Sequence, residues 1–451
     1  MNIELAVSQM RENFLNGGMR DLEYRRNLLI KYKANIKLCE NELLDAFRKD
    51  FNKAEFDAYA TEIGLVYAGI NDMVRHLHKY ARPRKVHTSL TNFPSKGRIY
   101  AEGFGVALII GAWNYPFQLA ILPLVGAIGA GNCVVLKPST KTPAVTAVIE
   151  KINKMTFKET EVITVATREV EGKALLDVRY DYMFFTGSVH TGKKVMEAAS
   201  KNVVPVSLEM GGKSPCVVDY DCDIKLTAKR IAWGKYMNAG QTCVCPDYFL
   251  VHEKVYDAFV KEFTEAIRSQ YYPDGKNLVD TFPYLVDEKK GEEIDSLIAG
   301  EKILLGGKRV GRLLEPTVLG DITWESPIMQ DEIFAPVAPL IKYSDNEDII
   351  KKINAREKPL SLYYFGKSPK LFITKCSYGG GCISDTVMHV AEENLPFGGV
   401  GYSGIGSYHG KQSFDTFTHF KSVLWKGKMD INMRYSPQSK GDIKFARIVL
   451  K

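Results

Sequence analysis

The chain has 451 residues, of which 45% are hydrophobic and 25% are charged, and its formal net charge is +7. The length predicts two or three domains, and the composition is that of folded globular proteins, which excludes disordered and fibrous classes. The charge is mild, and basic residues are mixed with acidic ones. The most basic stretch, residues 75–87, lacks the aromatic platforms on which bases stack, so we predict no nucleic-acid partner.

The sequence predicts a cytoplasmic protein with free thiols and no transmembrane segment. Its first residues, "MNIELAVSQMRENF", lack the basic start and continuous apolar stretch of a signal peptide. Eight cysteines are too sparse for a disulfide framework. No charged residue occurs between Gly103 and Leu136, but Asn114, Pro116 and Pro123 would interrupt a spanning helix. A buried strand, a turn and a buried helix are expected there instead.

Residues 1 to about 80 show the apolar periodicity of helices with charged faces. After a basic connector, β-branched runs alternate with amphipathic segments: "GVALIIG", "NCVVLKPS", "EVITVAT", "DYMFFTGS" and "VPVSLE". A second series follows residue 209, with "DYFLVH", "KILLGG", "EPTVLGD" and "FAPVAPLIKY". This alternation is typical of parallel sheets flanked by helices. The predicted fold class is therefore α/β, with two parallel-sheet domains in tandem.

The stretch "MFFTGSVHTGKKVMEAAS" predicts a strand, a Gly-rich turn and a helix with Val195, Ala198 and Ala199 on one side. Such a turn can present backbone N–H groups to an anion. A P-loop would need Ser or Thr after Gly192-Lys193, where this chain has Lys194, and the three-glycine spacing of the Rossmann fingerprint is absent. The loop is thus either an anion site or a structural turn.

Three polar residues follow predicted strands, where α/β proteins build their sites. Asn114 in "GAWNYPF" could donate to an oxyanion or satisfy its own turn. Lys137 in "NCVVLKPST" could reach a ribose or phosphate or lie on the surface. Glu209 in "VSLEMGGKSP" is a candidate general base, although a lone strand-end Glu is more often solvated.

The segment "NAGQTCVCPDY" places Cys243 and Cys245 one residue apart. No Cys or His cluster of matching spacing follows, and a disulfide across one residue would be strained, so we predict neither a metal site nor a redox pair. A nucleophile and a core residue remain as alternatives. Together, Asn114, Glu209 and Cys243 offer an oxyanion donor, a water-activating base and a thiol, which favours a catalytic interpretation.

These residues lie in a series of motifs that resembles the aldehyde dehydrogenase superfamily. The motifs occur in the family's order: "WNYPF", "KPS", "FTGS", "LEMGGKSP", "NAGQTC", "DEIFAPV" and "LPFGGVG". The short N-terminus and the ending "GYSGIGSYHGKQSFDTFTH" are most similar to the class 3 branch of fatty and aromatic aldehyde dehydrogenases. The resemblance implies oxidation of aldehydes to carboxylic acids with NAD or NADP.

The resemblance also implies roles for individual residues. Cys243, which follows "GQT", would be the nucleophile, and Cys245 a bystander that lines the site. Asn114 and the backbone N–H of Cys243 would form the oxyanion hole, and Glu209 would activate water. A free thiol has a pKa of about 8.5, so the site must favour the anion through a group that the sequence does not identify. Tyr115 would help to line a tunnel for a hydrophobic aldehyde, or it is a core aromatic.

For the dinucleotide, the positions that the resemblance implies are Lys137 at the adenosine ribose, Gly187, Ser188 and Gly192 at the pyrophosphate, and Glu332 and Phe334 at the nicotinamide. Three residues after Lys137, many NAD-preferring relatives have Glu, where this chain has Thr140. A carboxylate there would repel a 2′-phosphate, whereas a hydroxyl can donate to it. We therefore expect NADP to be accepted at least comparably to NAD.

The family's architecture implies a cofactor domain of residues 1–82 and 102–208, a catalytic domain of residues 209–398, and an arm with residues 83–101 and the C-terminal segment 399–451. Such an arm pairs with a second subunit, so a homodimer is expected. Three other functions stay open. They are a CoA-acylating aldehyde dehydrogenase, which has no need of Glu209, a catalytically silent binding relative, and a P-loop phosphotransferase, which would lack its magnesium-binding hydroxyl.

Overall fold

The computed structural model describes residues 2–166, 172–430 and 434–450. Within them, the strands form a six-stranded sheet, a seven-stranded sheet, a three-stranded sheet and a two-stranded ribbon. The helices are α1 (Ile3–Leu15), α2 (Leu22–Leu38), α3 (Glu40–Phe51), α4 (Glu55–Ala58), α5 (Gly64–Ala81), α6 (Gln118–Ala130), α7 (Pro143–Thr156), α8 (Gly172–Asp177), α9 (Val189–Ser200), α10 (Ile224–Tyr236), α11 (Tyr256–Tyr271), α12 (Glu288–Ile298), α13 (Asn346–Asn354), α14 (Pro369–Lys375), α15 (Gly410–Thr416) and α16 (Lys440–Val449). The strands are β1 (Arg84–Val86), β2 (Ser95–Gly103), β3 (Val106–Ile110), β4 (Cys133–Lys137), β5 (Val162–Thr164), β6 (Tyr182–Gly187), β7 (Val206–Met210), β8 (Pro215–Val218), β9 (Tyr248–His252), β10 (Lys302–Leu305), β11 (Arg309–Val310), β12 (Leu313–Leu314), β13 (Thr317–Gly320), β14 (Val337–Tyr343), β15 (Ser361–Phe365), β16 (Gly380–Ile383), β17 (Gly404–Ile405) and β18 (Thr418–Lys426).

The N-terminal helices confirm the helical prediction for the first 80 residues. In α2, the Asp21 side chain accepts from the backbone N–H of Tyr24, which caps the helix. Leu29, Tyr32 and Ile36 follow at helical spacing and are buried. Helices α2 and α3 pack on α7, and α5 packs on α6. A π-helical stretch, Tyr59–Ile63, joins α4 to α5.

The six-stranded sheet has the order β17-β7-β6-β3-β4-β5, and all of its pairs are parallel except β17 with β7. Its strands β3, β4 and β6 are almost entirely buried, as expected for strands that helices cover on both faces. The uncharged stretch forms β3, a turn, α6 and most of β4, as predicted, and α6 is buried on nearly every side. Among the described residues, every helix is too short or too polar to cross a membrane.

The seven-stranded sheet has the order β10-β13-β14-β9-β8-β15-β16, with the edge strand β10 antiparallel to β13. The fold class is therefore confirmed as two parallel-sheet α/β units. Every strand predicted from an apolar run is present, although Thr167, at the end of the run "EVITVAT", lies outside the described residues. In the seven-stranded sheet, three strands were not predicted from such runs: β8, β15 and β16.

The third sheet is built from β1, β2 and β18. Strand β18 pairs antiparallel with β2 over its whole length, from Thr418 opposite Gly103 to Lys426 opposite Ser95. The predicted division into domains stays a prediction. The structure adds that β17, from the predicted C-terminal segment, joins the six-stranded sheet beside β7.

Candidate active site

A cavity of about 600 Å³ lies where the carboxyl ends of β3, β6 and β7 approach the segment around Cys243. Seven residues of the predicted site line it: Asn114, Gly187, Ser188, Glu209, Cys243, Glu332 and Phe334. Ligands of α/β proteins bind at this edge of the sheet, where side chains at the ends of neighbouring parallel strands converge.

The turn before Cys243 is held in an unusual backbone conformation. Asn238, Ala239 and Gly240 have consecutive φ values of 52°, 53° and 70°. A Cβ atom on Gly240 would lie 2.4 Å from the Ala335 carbonyl oxygen, so this position requires glycine. The Gln241 amide locks the turn, because its Nε2 donates to the Asn238 carbonyl at 3.1 Å and its Oε1 accepts from Val286 N at 2.8 Å. This fixed turn ends two residues before Cys243, which lines the cavity.

The protein groups around Cys243 oppose ionisation of its thiol. Burial, followed by the nearby carboxyl groups of Glu332 and Glu209, raises the pKa of Cys243 to about 12, against backbone N–H groups that lower it. Among the described side chains that act on this pKa, none favours the thiolate.

Asn114 is hydrogen-bonded to the turn before Cys243. Its side-chain Nδ2 donates to the backbone carbonyl of Gln241 at 3.1 Å, and its backbone carbonyl accepts from Asn238 Nδ2 at 3.0 Å. An amide nitrogen carries two hydrogens, so Asn114 retains a second donor. The loop after β3 and the nucleophile turn are therefore fixed relative to one another.

Glu209 lies at the end of β7 and is only 2% exposed. Neither of its carboxylate oxygens has a hydrogen-bond partner among the described residues. Burial alone raises the pKa of Glu209 well above its ordinary value. A buried carboxyl with free acceptors, facing a cavity beside a thiol, has the properties of a general base that acts on a bound water.

Glu332 and Phe334 line the same cavity from the opposite unit. The Glu332 carboxylate accepts from Gly212 N at 3.2 Å, and burial raises its pKa to about 8. A side chain at Gly211 would collide with it, since a Cβ atom there would lie 2.3 Å from Glu332 Oε2. The segment is anchored by Asp247, whose carboxylate accepts from Ile333 N at 2.9 Å. These contacts hold a carboxyl group at a defined place in the cavity.

The predicted phosphate loop lies at the cavity as a strand, turn and helix, as the sequence indicated. Ser188 caps α9 by accepting from Thr191 N, and Ser188 and Thr191 both line the cavity. Gly192 lies within α9, where it is buried, and does not line the cavity. Lys193 lies away from it, with Nζ 3.2 Å from the Tyr402 hydroxyl, which disfavours a P-loop.

Lys137 and Thr140 lie beside the cavity rather than on its lining. Lys137 Nζ donates to the Pro138 carbonyl at 3.0 Å, and burial lowers the pKa of the Lys137 ammonium. Thr140 is half-buried, while its neighbours Ser139 and Lys141 both contribute to the lining.

Several cavity residues were missed from the sequence. The cationic ones are Lys141, Lys289 and Lys290, and the aromatic ones are Trp113, Phe185, Phe397 and Tyr408. Trp113 had a usable signal because it stands in the motif beside Asn114, whereas Lys289 and Lys290 belong to the ordinary amphipathic helix α12. Lysines and the α9 N-terminus among the lining residues suit a diphosphate, so the described residues fit a dinucleotide.

Tyr115 and Cys245 lie outside the cavity lining. Tyr115 is buried, and its hydroxyl shares a hydrogen bond of 2.6 Å with Thr242 Oγ1. Cys245 is also buried, with Sγ donating to the carbonyls of Lys235 and Pro246. All eight cysteines, each within the described residues, are free thiols.

Comparison with known proteins gives the same family at every level. The model of the Aldehyde dehydrogenase family matches residues 1–423. The 4,4'-diaponeurosporen-aldehyde dehydrogenase of Staphylococcus aureus is 42% identical over 441 residues, covering 96% of this chain and 95% of that protein. Aldehyde dehydrogenase family 3 member A2 of Mus musculus is 38% identical over 458 residues, covering 99% and 94%. A solved structure, "Substrate bound state of Staphylococcus Aureus AldH", covers both chains completely at 41% identity with a TM-score of 0.96. The chain belongs to the aldehyde dehydrogenase family.

Proposed function

We propose that this chain oxidises aldehydes to carboxylic acids with NAD or NADP, through a covalent intermediate on Cys243. The observation that carries this proposal is the meeting of Cys243, Asn114 and Glu209 at one cavity, in the fold of the family. When bound, the dinucleotide supplies the hydride acceptor. Gly187 and Ser188 would hold its diphosphate, and Glu332 its nicotinamide end.

The residues divide the reaction into two steps. The Cys243 thiol gives its proton to solvent water and its sulfur attacks the aldehyde carbon, while Asn114 Nδ2 and a backbone N–H donate to the oxyanion that forms. Loss of hydride from that carbon leaves a thioester on Cys243. Glu209 then takes a proton from water, whose oxygen attacks the thioester and releases the acid and the thiol. The free acceptor oxygens of Glu209 support hydrolysis rather than transfer to CoA.

Hydrophobic aldehydes are the substrate class that we infer. Leu119, Leu360, Phe397 and Tyr408 give the cavity an apolar wall. The names of the relatives, a 4,4'-diaponeurosporen-aldehyde dehydrogenase and members of aldehyde dehydrogenase family 3, agree with long-chain or aromatic substrates. Measuring cofactor reduction with short, long-chain and aromatic aldehydes tests this, and equal kcat/KM across the panel would contradict it.

The nucleophile is tested with a matched pair of thiol variants. Cys243→Ala should be inactive, whereas Cys245→Ala, two residues away and off the cavity, should retain most activity. Mass spectrometry of enzyme quenched during turnover should find the acyl group on the peptide that contains Cys243. Inactive Cys245→Ala with active Cys243→Ala would reverse the assignment.

We also infer acceptance of NADP, a homodimer and a cytoplasmic location. Thr140 stands where many NAD-preferring relatives have a carboxylate, which would repel the 2′-phosphate. A related enzyme of Canis lupus familiaris, 38% identical, is described as dimeric and NADP-preferring.

The dimer is supported by the arm, where β18 is an edge strand of the described sheet. It carries Leu424 and Trp425, which are 50% and 57% exposed. Eight free thiols suit a reducing compartment. Sedimentation equilibrium giving one subunit mass at micromolar concentration would refute the dimer, and cell fractionation tests the location.

A further inference from the structure

A buried ion pair lies behind the active site, outside the cavity lining. Lys53 Nζ is 3.3 Å from Glu62 Oε1, and the two residues are 2% and 0% exposed. Burying two charges is costly unless further hydrogen bonds compensate for the lost water. The contacts of Glu62 therefore indicate what the pair does.

The second carboxylate oxygen of Glu62 holds the beginning of α6. Glu62 Oε2 accepts from the backbone N–H groups of Phe117 at 3.1 Å and Gln118 at 3.0 Å. The N-cap residue of α6 is Phe117, whose side chain has no hydrogen-bond acceptor for these backbone N–H groups. A carboxylate from another element thus takes the place of a capping side chain and matches the positive end of the helix dipole.

Helix α6 begins directly after the loop that carries Asn114. Tyr115 lies between Asn114 and α6 in the sequence and contacts both the ion pair and the nucleophile turn. Lys53 Nζ lies 4.5 Å from the centre of the Tyr115 ring, and the Tyr115 hydroxyl shares a hydrogen bond with Thr242, the neighbour of Cys243. The ion pair is therefore linked to the oxyanion loop through the α6 cap and to the nucleophile turn through Tyr115.

The backbone at Glu62 is also unusual. It lies in the π-helical stretch Tyr59–Ile63, which interrupts the path from α4 to α5. A π-turn inserts a residue and so changes the direction in which the following side chains leave the helix. Such turns are rare and occur frequently at functional sites.

From this geometry we propose that Glu62, held by Lys53, is a positioning residue that sets the place of Asn114 relative to Cys243. The inference rests on the proposed function, because it assumes that Asn114 stabilises the oxyanion formed at Cys243. Neither Lys53 nor Glu62 contacts the reacting atoms. Both act through the start of α6.

The test is a double-mutant cycle between Glu62→Gln and Asn114→Ala. The single-turnover rate of cofactor reduction is measured with enzyme in excess over aldehyde and with saturating NADP. In Glu62→Gln, an amide donor must face either the Lys53 ammonium or the two helix N–H groups, so we expect the rate to fall about tenfold. In the Asn114→Ala background, the same change should alter the rate by less than about threefold, because the group that it positions is already gone.

Asp50→Asn is the matched control. Asp50 caps α7 in the same way, with its carboxylate accepting from Ala144 N at 3.3 Å and Val145 N at 3.0 Å, but α7 does not carry Asn114. Its effect on the rate should stay below about threefold in both backgrounds. If Glu62→Gln does not fold, judged by its thermal melt, Glu62→Asp replaces it: the charge remains, but the shorter side chain draws away from the helix.

A loss at Glu62 that simply multiplies with the loss at Asn114, or an unchanged rate, overturns the proposal. Failure of the proposed function would look different. In that case the parent enzyme would reduce neither NAD nor NADP with aldehyde, or Cys243→Ala would remain active, whatever the behaviour of the Glu62 variants.

Discussion

Replacing Glu209 by Gln should separate the two halves of the reaction. The substitution keeps the shape of the side chain, and because neither carboxylate oxygen is hydrogen-bonded among the described residues, it breaks no contact within the protein. What it removes is the proton acceptor for water. General bases contribute about 10² to 10⁴ in rate, so we expect kcat to fall by that factor, or about 3–5 kcal/mol in the barrier. Acylation of Cys243 does not need this base for water and should persist.

The assay is rapid mixing of Glu209→Gln with saturating NADP and aldehyde, following the absorbance of the reduced cofactor. One equivalent per subunit should form in a burst, and turnover should then almost stop. In the parent enzyme, the hydrolysis step should accelerate as pH rises through the elevated pKa of Glu209, because the base form appears only above it. A variant that turns over within about threefold of the parent would refute the assignment of the base.

Two other substitutions test the cofactor loop and the nucleophile turn. Thr140→Glu should lower kcat/KM for NADP at least about tenfold more than for NAD, because its carboxylate repels the 2′-phosphate. The neutral control Thr140→Gln should not produce this difference between the cofactors. Equal losses with both cofactors in Thr140→Glu would contradict the prediction. Gly240→Ala and Gly275→Ala both place a side chain on a left-handed backbone, with φ of 70° and 75°, but only the first meets an atom within 4 Å, the Ala335 carbonyl. Gly240→Ala should therefore lower the unfolding temperature more than Gly275→Ala does, because a steric clash adds to the backbone strain of about 1 kcal/mol that both variants share. Thermal melts that shift equally in the two variants would show that the turn tolerates the side chain.

Most strands of the two parallel sheets could be predicted from the sequence, because they are continuous apolar runs bounded by turn residues. Strands β3, β4 and β6 could be predicted for this reason, and their carboxyl ends showed where Asn114 and Lys137 would lie. Strand β8 was missed because it is a run of only four residues that begins with a proline, the last residue of the motif "LEMGGKSP". Strand β17 has two residues, and only its partner β7 makes it a strand.

Other parts of the site depend on contacts between distant segments. Lys289 and Lys290 look like the solvated face of α12, and only the packing of that helix brings them to the cavity. Glu62 was also missed because its role depends on a distant segment: it caps α6, which begins 56 residues later. Periodicity describes the face of a single helix and contains no information on which distant N–H groups that face will meet.

The carboxyl groups of Glu332 and Glu209 raise the pKa of Cys243, and this affects how its thiol reacts before any ligand is bound. Glu332 loses its proton near its raised pKa of about 8, and its charge then adds to burial in raising the pKa of the Cys243 thiol. Glu332→Gln removes that charge, so in alkaline solution a larger fraction of Cys243 is thiolate and iodoacetamide should alkylate it faster than in the parent enzyme. Peptide mass spectrometry gives the rate at Cys243, with Cys382 in the same digest as the internal reference, since the charges that act on its pKa do not include Glu332. An unchanged ratio of the two rates would mean that burial alone keeps the nucleophile protonated, and that the carboxyl groups around it only shape the cavity.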